Sequence, residues 1–397
     1  MDTPWAVILC KFTDGADEPF PKQYYQDLFT VTDGASPWDM IRYFHDQSHG
    51  TLELTGTKVF GWFQLSKSVA DYNSLGGQAR EALIKWARDA AVAHGVDLEP
   101  FFSVVACANL WQDIGASASG VVVQGPDTPF PAGLGHEMGH VYGLQHSRID
   151  GSDADYQDPW DIMSAFNDYG AADPEFTLIG PGLNASNMRS RGWLDESRVW
   201  KVSGDKGDET IELRPLARHD LRGFLAAQMP GGYLVELRVQ EGWDAGIPRP
   251  AVLVHRFEGG HSYLMRGNSG SSDLIAGDSF GDAEPEPDPM SILSSFSRVD
   301  VLSIDAAGRR ATLRIRHHTP VHVGLSGQAV DPMYLILHGA AYLKWVELHH
   351  PHEPKVTELQ AALRALSREE QDAALSRARA LQAHGKAVEE AIAELRS

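Results

Sequence analysis

Between Gly135 and Ser147 the chain reads GHEMGHVYGLQHS. On a helix, His136 and His140 lie four residues apart and share one face, so their imidazoles can converge on a single metal ion. Glu137 stands beside them, within reach of a water on that ion. Gly143 permits the positive φ that stops a helix and turns the chain back. His146 then arrives from the loop as a third ligand. Three nitrogen ligands leave a fourth position open for water, as catalytic Zn²⁺ requires, and the metal lowers the pKa of that water to about 7. The expected chemistry is hydrolysis, with one Zn²⁺ on His136, His140 and His146 and with Glu137 as general base. A non-catalytic zinc site needs the same histidines but gives no reason for Glu137.

The elements that must carry these groups come from an alternation of strand and helix patterns over the first two hundred residues. Trp5 to Phe12 (WAVILCKF) reads as a buried strand. Ser36-Pro37-Trp38-Asp39 predicts a helix start, with Met40, Ile41, Tyr43 and Phe44 turned inward and Gly50 as its end. Thr51 to Leu65 alternates like a strand. Gln78 to His94 predicts a helix with Ala82, Leu83, Trp86, Ala90 and Ala93 on one side, ended by Gly95. Phe101 to Ala108 and Gly120 to Val123 are two further strands, and Gly120 to Gln124 is the expected edge strand above the site. From Val199 the texture changes to short strands parted by Gly, Asp and Pro: VWKV, TIELRPL, YLVELRVQ, AVLVHRF, VDVLSI and ATLRIRH. Glu284 to Pro289 is a solvated loop among them. After Pro332 the pattern turns helical, with Leu359, Leu363 and Leu366 on one face and a capping box at Ser367 and Glu370.

The segment from His136 to His146 resembles the HExxHxxGxxH signature of the metzincin zinc peptidases. Asp161-Ile162-Met163-Ser164 resembles that family's Met-turn, which implies that Met163 is a hydrophobic floor beneath the ligands and not a ligand. An ordinary core methionine would pack in nearly the same way. WAVILCKFTD, YYQDLF and SPWDMIRYFHDQSHGTLELTGTKVFGWF resemble the start of the catalytic domain of immune inhibitor A-type secreted peptidases. Those commonly have aspartate where His146 stands, and His146-Ser147 is closer to the matrixin form. NASNMRSRGWL, from Asn184 to Leu194, resembles the helix that closes such domains, and YLVELRVQEGWDAGIPRPAVLVHRF resembles a β-rich region that follows them. Some metzincins carry a transition-state tyrosine two residues after the Met-turn methionine. Here that position is Ala165, and Tyr169 is the nearest substitute. No zinc-blocking cysteine precedes the domain, since Cys10 falls inside a strand.

The expected fold class is α+β. Residues 1–198 form a metzincin-like catalytic domain with a twisted sheet and active-site helix, 199–322 an all-β sandwich-like module, and 323–397 a helical segment. The expected function is a zinc-dependent endopeptidase acting on a protein or peptide. The alternatives are a zinc-stabilised protein- or glycan-binding protein and a zinc amidohydrolase on a non-peptide amide. Asp153, Asp155 and Asp158, in a loop with Asp150, have oxygens suited to Ca²⁺, though acidic loops are usually only solvated. Asp278 and Asp282 form a weaker candidate. His45 and His49 read as packing or surface residues. His317, His318 and His322, and His349, His350 and His352, read as loop and edge residues.

With 34 Lys+Arg against 54 Asp+Glu, the net charge of −20 argues against nucleic-acid partners, which need a basic patch. The 43% hydrophobic and 22% charged content is that of an ordinary globular chain. No apolar stretch reaches the length of a membrane span. Cys10 and Cys107 read as buried free thiols, and a monomer is the expected state. The start, MDTPW, lacks a basic region followed by an apolar core. The expected location is extracellular, with a leader removed, and cytoplasmic is the alternative.

Overall fold

The apolar run from Trp5 forms a strand because both of its faces are covered. In the structure, a computed structural model, β1 (Trp5–Lys11) turns Trp5, Val7 and Leu9 to one hydrophobic cluster and Ala6, Ile8 and Cys10 to another. A strand buried on both sides reads as a continuous apolar run, not an alternating one. The structure describes residues 1–318 except 16, 32–36, 110–112, 126–129, 166–167, 204–205 and 284–295. The helical segment expected at 323–397, the loop at 284–289, and His322, His349, His350 and His352 lie outside the described residues.

Helices α1 (Lys22–Phe29) and α2 (Met40–Gln47) follow. The expected cap at Ser36 lies outside the described residues, and α2 is capped instead by Asp39, whose carboxylate accepts from Arg42 N at 2.9 Å. Met40, Tyr43 and Phe44 are buried as expected. Strand β2 (Lys58–Gln64) occupies only the second half of the stretch expected from Thr51. After α3 (Val69–Asn73), α4 (Ala79–Ala93) buries Leu83, Ile84, Ala87 and Ala91. Ala93, expected inward, is exposed. The expected face, Ala82, Leu83, Trp86, Ala90 and Ala93, has the same helical spacing as the buried one but lies about one residue round from it, with Leu83 common to both.

Strands β3 (Ser103–Ala108), β4 (Asp113–Ser117) and β5 (Gly120–Gln124) complete a five-stranded sheet of order β2-β1-β3-β5-β4. Neighbours are parallel except β4, which runs antiparallel to β5. The edge strand is therefore β4 and not Gly120–Gln124, which is paired on both sides. Strand β4 escaped the sequence because its residues, DIGAS, carry little β-propensity and only one large apolar side chain. Cys10 and Cys107 are both free and buried, and they belong to clusters on opposite faces of this sheet, so no disulfide can join them.

Helix α5 (Pro131–Val141) carries the HEMGH stretch on the face opposite α4. Then come β6 (Arg148–Ile149), β7 (Ala171–Asp173), β8 (Thr177–Ile179), α6 (Ala185–Ser190) and β9 (Val199–Lys201). All six strands expected from Val199 onward are strands in the structure: β9, β10 (Lys206–Leu213), β12 (Tyr233–Arg238), β13 (Ala251–Glu258), β16 (Phe296–Asp305) and β17 (Arg310–His318). Short β11 (Ala226–Gln228), β14 (His261–Leu264) and β15 (Ser279–Gly281) lie between them. The chain is thus mixed, with several sheets and a few helices, compatible with the expected α+β class. Among the described residues no helix is long and apolar enough to cross a membrane.

The partition expected at residue 198 does not coincide with the compact units. Among the described residues, one unit falls within Met1–Lys201, Ile211–Ser279 and Asp300–Leu313, and the other takes 202–203, 206–210, 280–283, 296–299 and 314–318. Within the first, a six-stranded sheet runs β6-β14-β13-β12-β11-β9. Its β14 pairs in parallel with β6, with Tyr263 opposite Arg148 and Leu264 opposite Ile149. Leu216, Leu225, Ala226, Leu234 and Trp243 join the same hydrophobic cluster as Tyr43, Phe44 and Met138. A four-stranded sheet has the order β10-β17-β16-β15.

A buried polar network ties these parts of the first unit together. Asp161 accepts from Ser147 Oγ at 3.0 Å, Met163 N at 2.8 Å, Asn184 N at 2.5 Å and Asn187 Nδ2 at 3.1 Å. Burial and the charge of Asp158 push its pKa up to about 6, and these four donors favour the ionised form at neutral pH. Backbone N–H groups leading into α6 are met by other carboxylates: Gly182 by Asp244 at 3.0 Å and Ala185 by Glu236 at 2.6 Å. Arg238, 1% exposed, bridges Glu236 and Asp244. His255 donates to Asp158 Oδ2 at 3.0 Å and lies 3.5 Å from Glu236. Removing one partner from such a set leaves buried charge or donors uncompensated, at a cost of about 3–5 kcal/mol. Asp161→Ala should therefore lose about that much in urea unfolding, whereas a loss below about 1 kcal/mol would show that the network contributes little.

His255 adds a pH dependence. Burial disfavours its imidazolium, but Glu236 and Asp158 outweigh that and raise the pKa to about 10. A pKa raised on folding stabilises fully below the unfolded value of about 6.5 and ceases to do so as pH rises through the folded value. The stability gap between the wild type and His255→Gln should be widest near pH 6 and narrow toward pH 10 in denaturant titrations.

Candidate metal centre

Helix α5 opens with Pro131 at its first position and contains three glycines, each less favourable than alanine by about 1 kcal/mol. Burial of Leu134 and Met138 offsets this. Gly139 has a packing reason: a Cβ there would stand 2.6 Å from Met163 Sδ. Met163, fully buried, thus lies directly against the turn of helix between the first two histidines. The helix ends as expected at Gly143, whose φ is 89°. Tyr142 fixes this end to β1 by accepting from Trp5 Nε1 at 2.9 Å.

The three histidines meet through their Nε2 atoms. His140 Nε2 lies 3.1 Å from that of His136 and 3.1 Å from that of His146. Each ring is anchored through its other nitrogen. His136 Nδ1 donates to Ile162 O at 2.8 Å, His140 Nδ1 to Leu144 O at 2.9 Å, and His146 Nδ1 to Asp155 Oδ2 at 3.1 Å. With the proton on Nδ1, every Nε2 presents a lone pair to the same point. Three such lone pairs repel unless a cation stands among them. Tetrahedral coordination at 2.0–2.1 Å places ligand nitrogens about 3.3 Å apart, so the donor set fits Zn²⁺. Burial lowers all three pKa values, that of His136 to about 4, which keeps the rings neutral and ready to bind a metal. Among the described residues these three are the one group of His, Cys, Asp or Glu side chains arranged to hold an ion.

Glu137 points to the edge strand, where its Oε2 accepts from Ala116 N at 2.6 Å. Burial raises its pKa, while the Ala116 N–H and the charge of Arg80 oppose the rise. Ile162, which anchors His136, is held in turn by the turn that Asp161 organises.

Other expectations separate here. Tyr169 packs on Trp160, with centroids 5.3 Å apart, in a cluster with Ile247 and Leu253. The tyrosine at the histidines is Tyr156, whose ring centroid is 4.0 Å from that of His146 and 6.0 Å from that of His136. Its φ of 63° is unusual for a non-glycine residue, and nothing in the sequence around it signals this. The expected calcium ligands do not converge. Asp153 is 97% exposed, Asp155 is taken by His146 and Arg148, and Asp158 is buried against His255 and Trp160 N. Asp278 and Asp282 accept instead from the backbone N–H groups of Ile275 and Ser297. His49 bonds to Leu216 O and stacks on His219, a packing role as expected.

Comparison with protein-family models, with curated proteins and with solved structures found no match for this chain. If the histidines form a metal centre, His140→Ala should weaken Zn²⁺ binding by at least 10²-fold in chelator competition. Binding unchanged by that substitution would place the metal elsewhere.

Proposed function

We propose that the chain is a zinc-dependent endopeptidase of the metzincin type, acting on extracellular protein or peptide substrates. The observation that carries this reading is the convergence of three Nε2 lone pairs beside a half-buried glutamate. Binding alone would need the histidines, but hydrolysis also needs a base next to them, and Glu137 is there. When bound, Zn²⁺ supplies a Lewis acid that brings the pKa of water to about 7 and polarises a carbonyl.

The chain's own groups do the rest. Glu137 Oε2 is held by Ala116 N–H, which leaves Oε1 to take the proton of the attacking water and hand it to the departing amine. Its raised pKa suits both transfers. Strand β4 is the outermost strand of its sheet; with Ala116 N–H taken by Glu137 and Ile114 O by Arg80, an extended peptide can add only through its remaining outward groups, presenting its carbonyl to the histidines. Met163 and the Asp161 turn keep α5 and His136 in place beneath.

The test is digestion of casein and of a peptide library, with and without a zinc chelator. Cleavage should require the metal. Glu137→Ala should retain one Zn²⁺ per chain and lose about 10²–10⁴-fold in rate, the usual value of a general base. Metal-independent cleavage, or wild-type cleavage by Glu137→Ala, overturns the mechanism. Tight zinc binding with no cleavage of any peptide favours a zinc-stabilised binding protein, and activity confined to small amides favours an amidohydrolase.

A further inference from the structure

The three histidines are not anchored alike. His136 and His140 ride on α5, and their Nδ1 atoms donate to main-chain carbonyls. His146 sits on a loop, and its anchor is a side chain, Asp155. Asp155 is itself gripped: its Oδ1 accepts from Arg148 Nε at 2.9 Å. Arg148 in turn donates from Nη1 to Tyr263 Oη at 3.1 Å, and its guanidinium lies 6.0 Å from the centroid of the Tyr263 ring. Tyr263 belongs to β14, which pairs with β6 directly after His146. His261, on the same strand, donates from Nδ1 to the carbonyl of His146 at 2.8 Å. One strand from the β-rich part of the first unit therefore holds both the backbone and, through two side chains, the ring of the third histidine.

We propose that Asp155 is the positioning residue of His146, and that Tyr263, acting through Arg148, holds Asp155 in place. Retention of a metal by the three histidines is then set in part by a strand 115 residues downstream. The reason is chemical as well as geometric. A carboxylate on the far nitrogen fixes the tautomer and makes the imidazole a better donor than a main-chain carbonyl does, and such partners are worth about 10–100-fold in metal affinity. A loop residue without that anchor would lose side-chain entropy on each binding event. The proposal rests on the histidines being a metal site and is independent of what the site catalyses.

The experiment is competition for Zn²⁺ between the full chain and a chromophoric chelator, with the absorption spectrum of the Co²⁺-loaded protein as a second readout of ligand geometry. Asp155→Ala should bind Zn²⁺ about 10–100-fold more weakly and change the Co²⁺ spectrum. Asp155→Asn, which keeps an oxygen for Nδ1–H, should recover part of the loss. Tyr263→Phe should weaken binding by about threefold, the value of one modest hydrogen bond, and should add nothing when combined with Asp155→Ala. Asp150→Ala removes the same charge from an exposed position in the same loop and should leave affinity unchanged. Affinity of Asp155→Ala within about threefold of wild type, an equal loss in Asp150→Ala, or full additivity with Tyr263→Phe would each overturn the proposal. Absence of Zn²⁺ binding by the wild type would instead overturn the metal reading on which it rests, and peptidase assays have no bearing on either outcome.

Discussion

The two oxygens of Asp161 gather four donors from three stretches of chain. Ser147 follows the third histidine, Met163 lies under the helix that carries the other two, and Asn184 and Asn187 belong to the cap and first turns of α6. A carboxylate buried in this way is costly alone and specific once paired, because no other group of its size accepts four bonds at once. The carbonyl that anchors His136 comes from Ile162, the next residue. The geometry of the histidine cluster is thus inherited from a polar network that touches none of the three Nε2 atoms.

The same logic extends outward. Glu236, Arg238, Asp244 and His255 are as buried as any leucine, and the first three satisfy the backbone of an irregular segment that no helix or strand would satisfy. Neutral histidines at the centre and ionised groups around it are not in conflict. At the centre desolvation outweighs even the carboxylate of Asp155 beside His146, and at His255 two facing carboxylates reverse the outcome.

The regular elements were largely legible. Continuous apolar runs gave β1, β3 and β5, and six short runs after Val199 all proved to be strands. Met40, Tyr43 and Phe44 showed the buried face of α2. The weak points share a cause. Strand β4 is made by pairing with β5, not by propensity, and it displaces Gly120–Gln124 from the sheet edge. The inward face of α4 is decided by what it packs on, so the expected face lies about one residue round from the buried one. Glu236 and Arg238 look like the wet side of a strand in a list of residues, and only the segment folded over them makes them core.

For the candidate site, local spacing by itself determined that His136, Glu137 and His140 share a helical turn, that Gly143 ends it and that His146 follows. Those are properties of backbone geometry within a dozen residues. Tertiary structure decided the remainder. It turned Asp155 from an apparent calcium ligand into the partner of His146, put Tyr156 and not Tyr169 against the rings, and bound the loop to β14. Contacts between residues far apart in the chain have no spacing rule. Which carboxylate finds which imidazole depends on sheet order and on buried charges that must be met, and these exist only once the chain has folded.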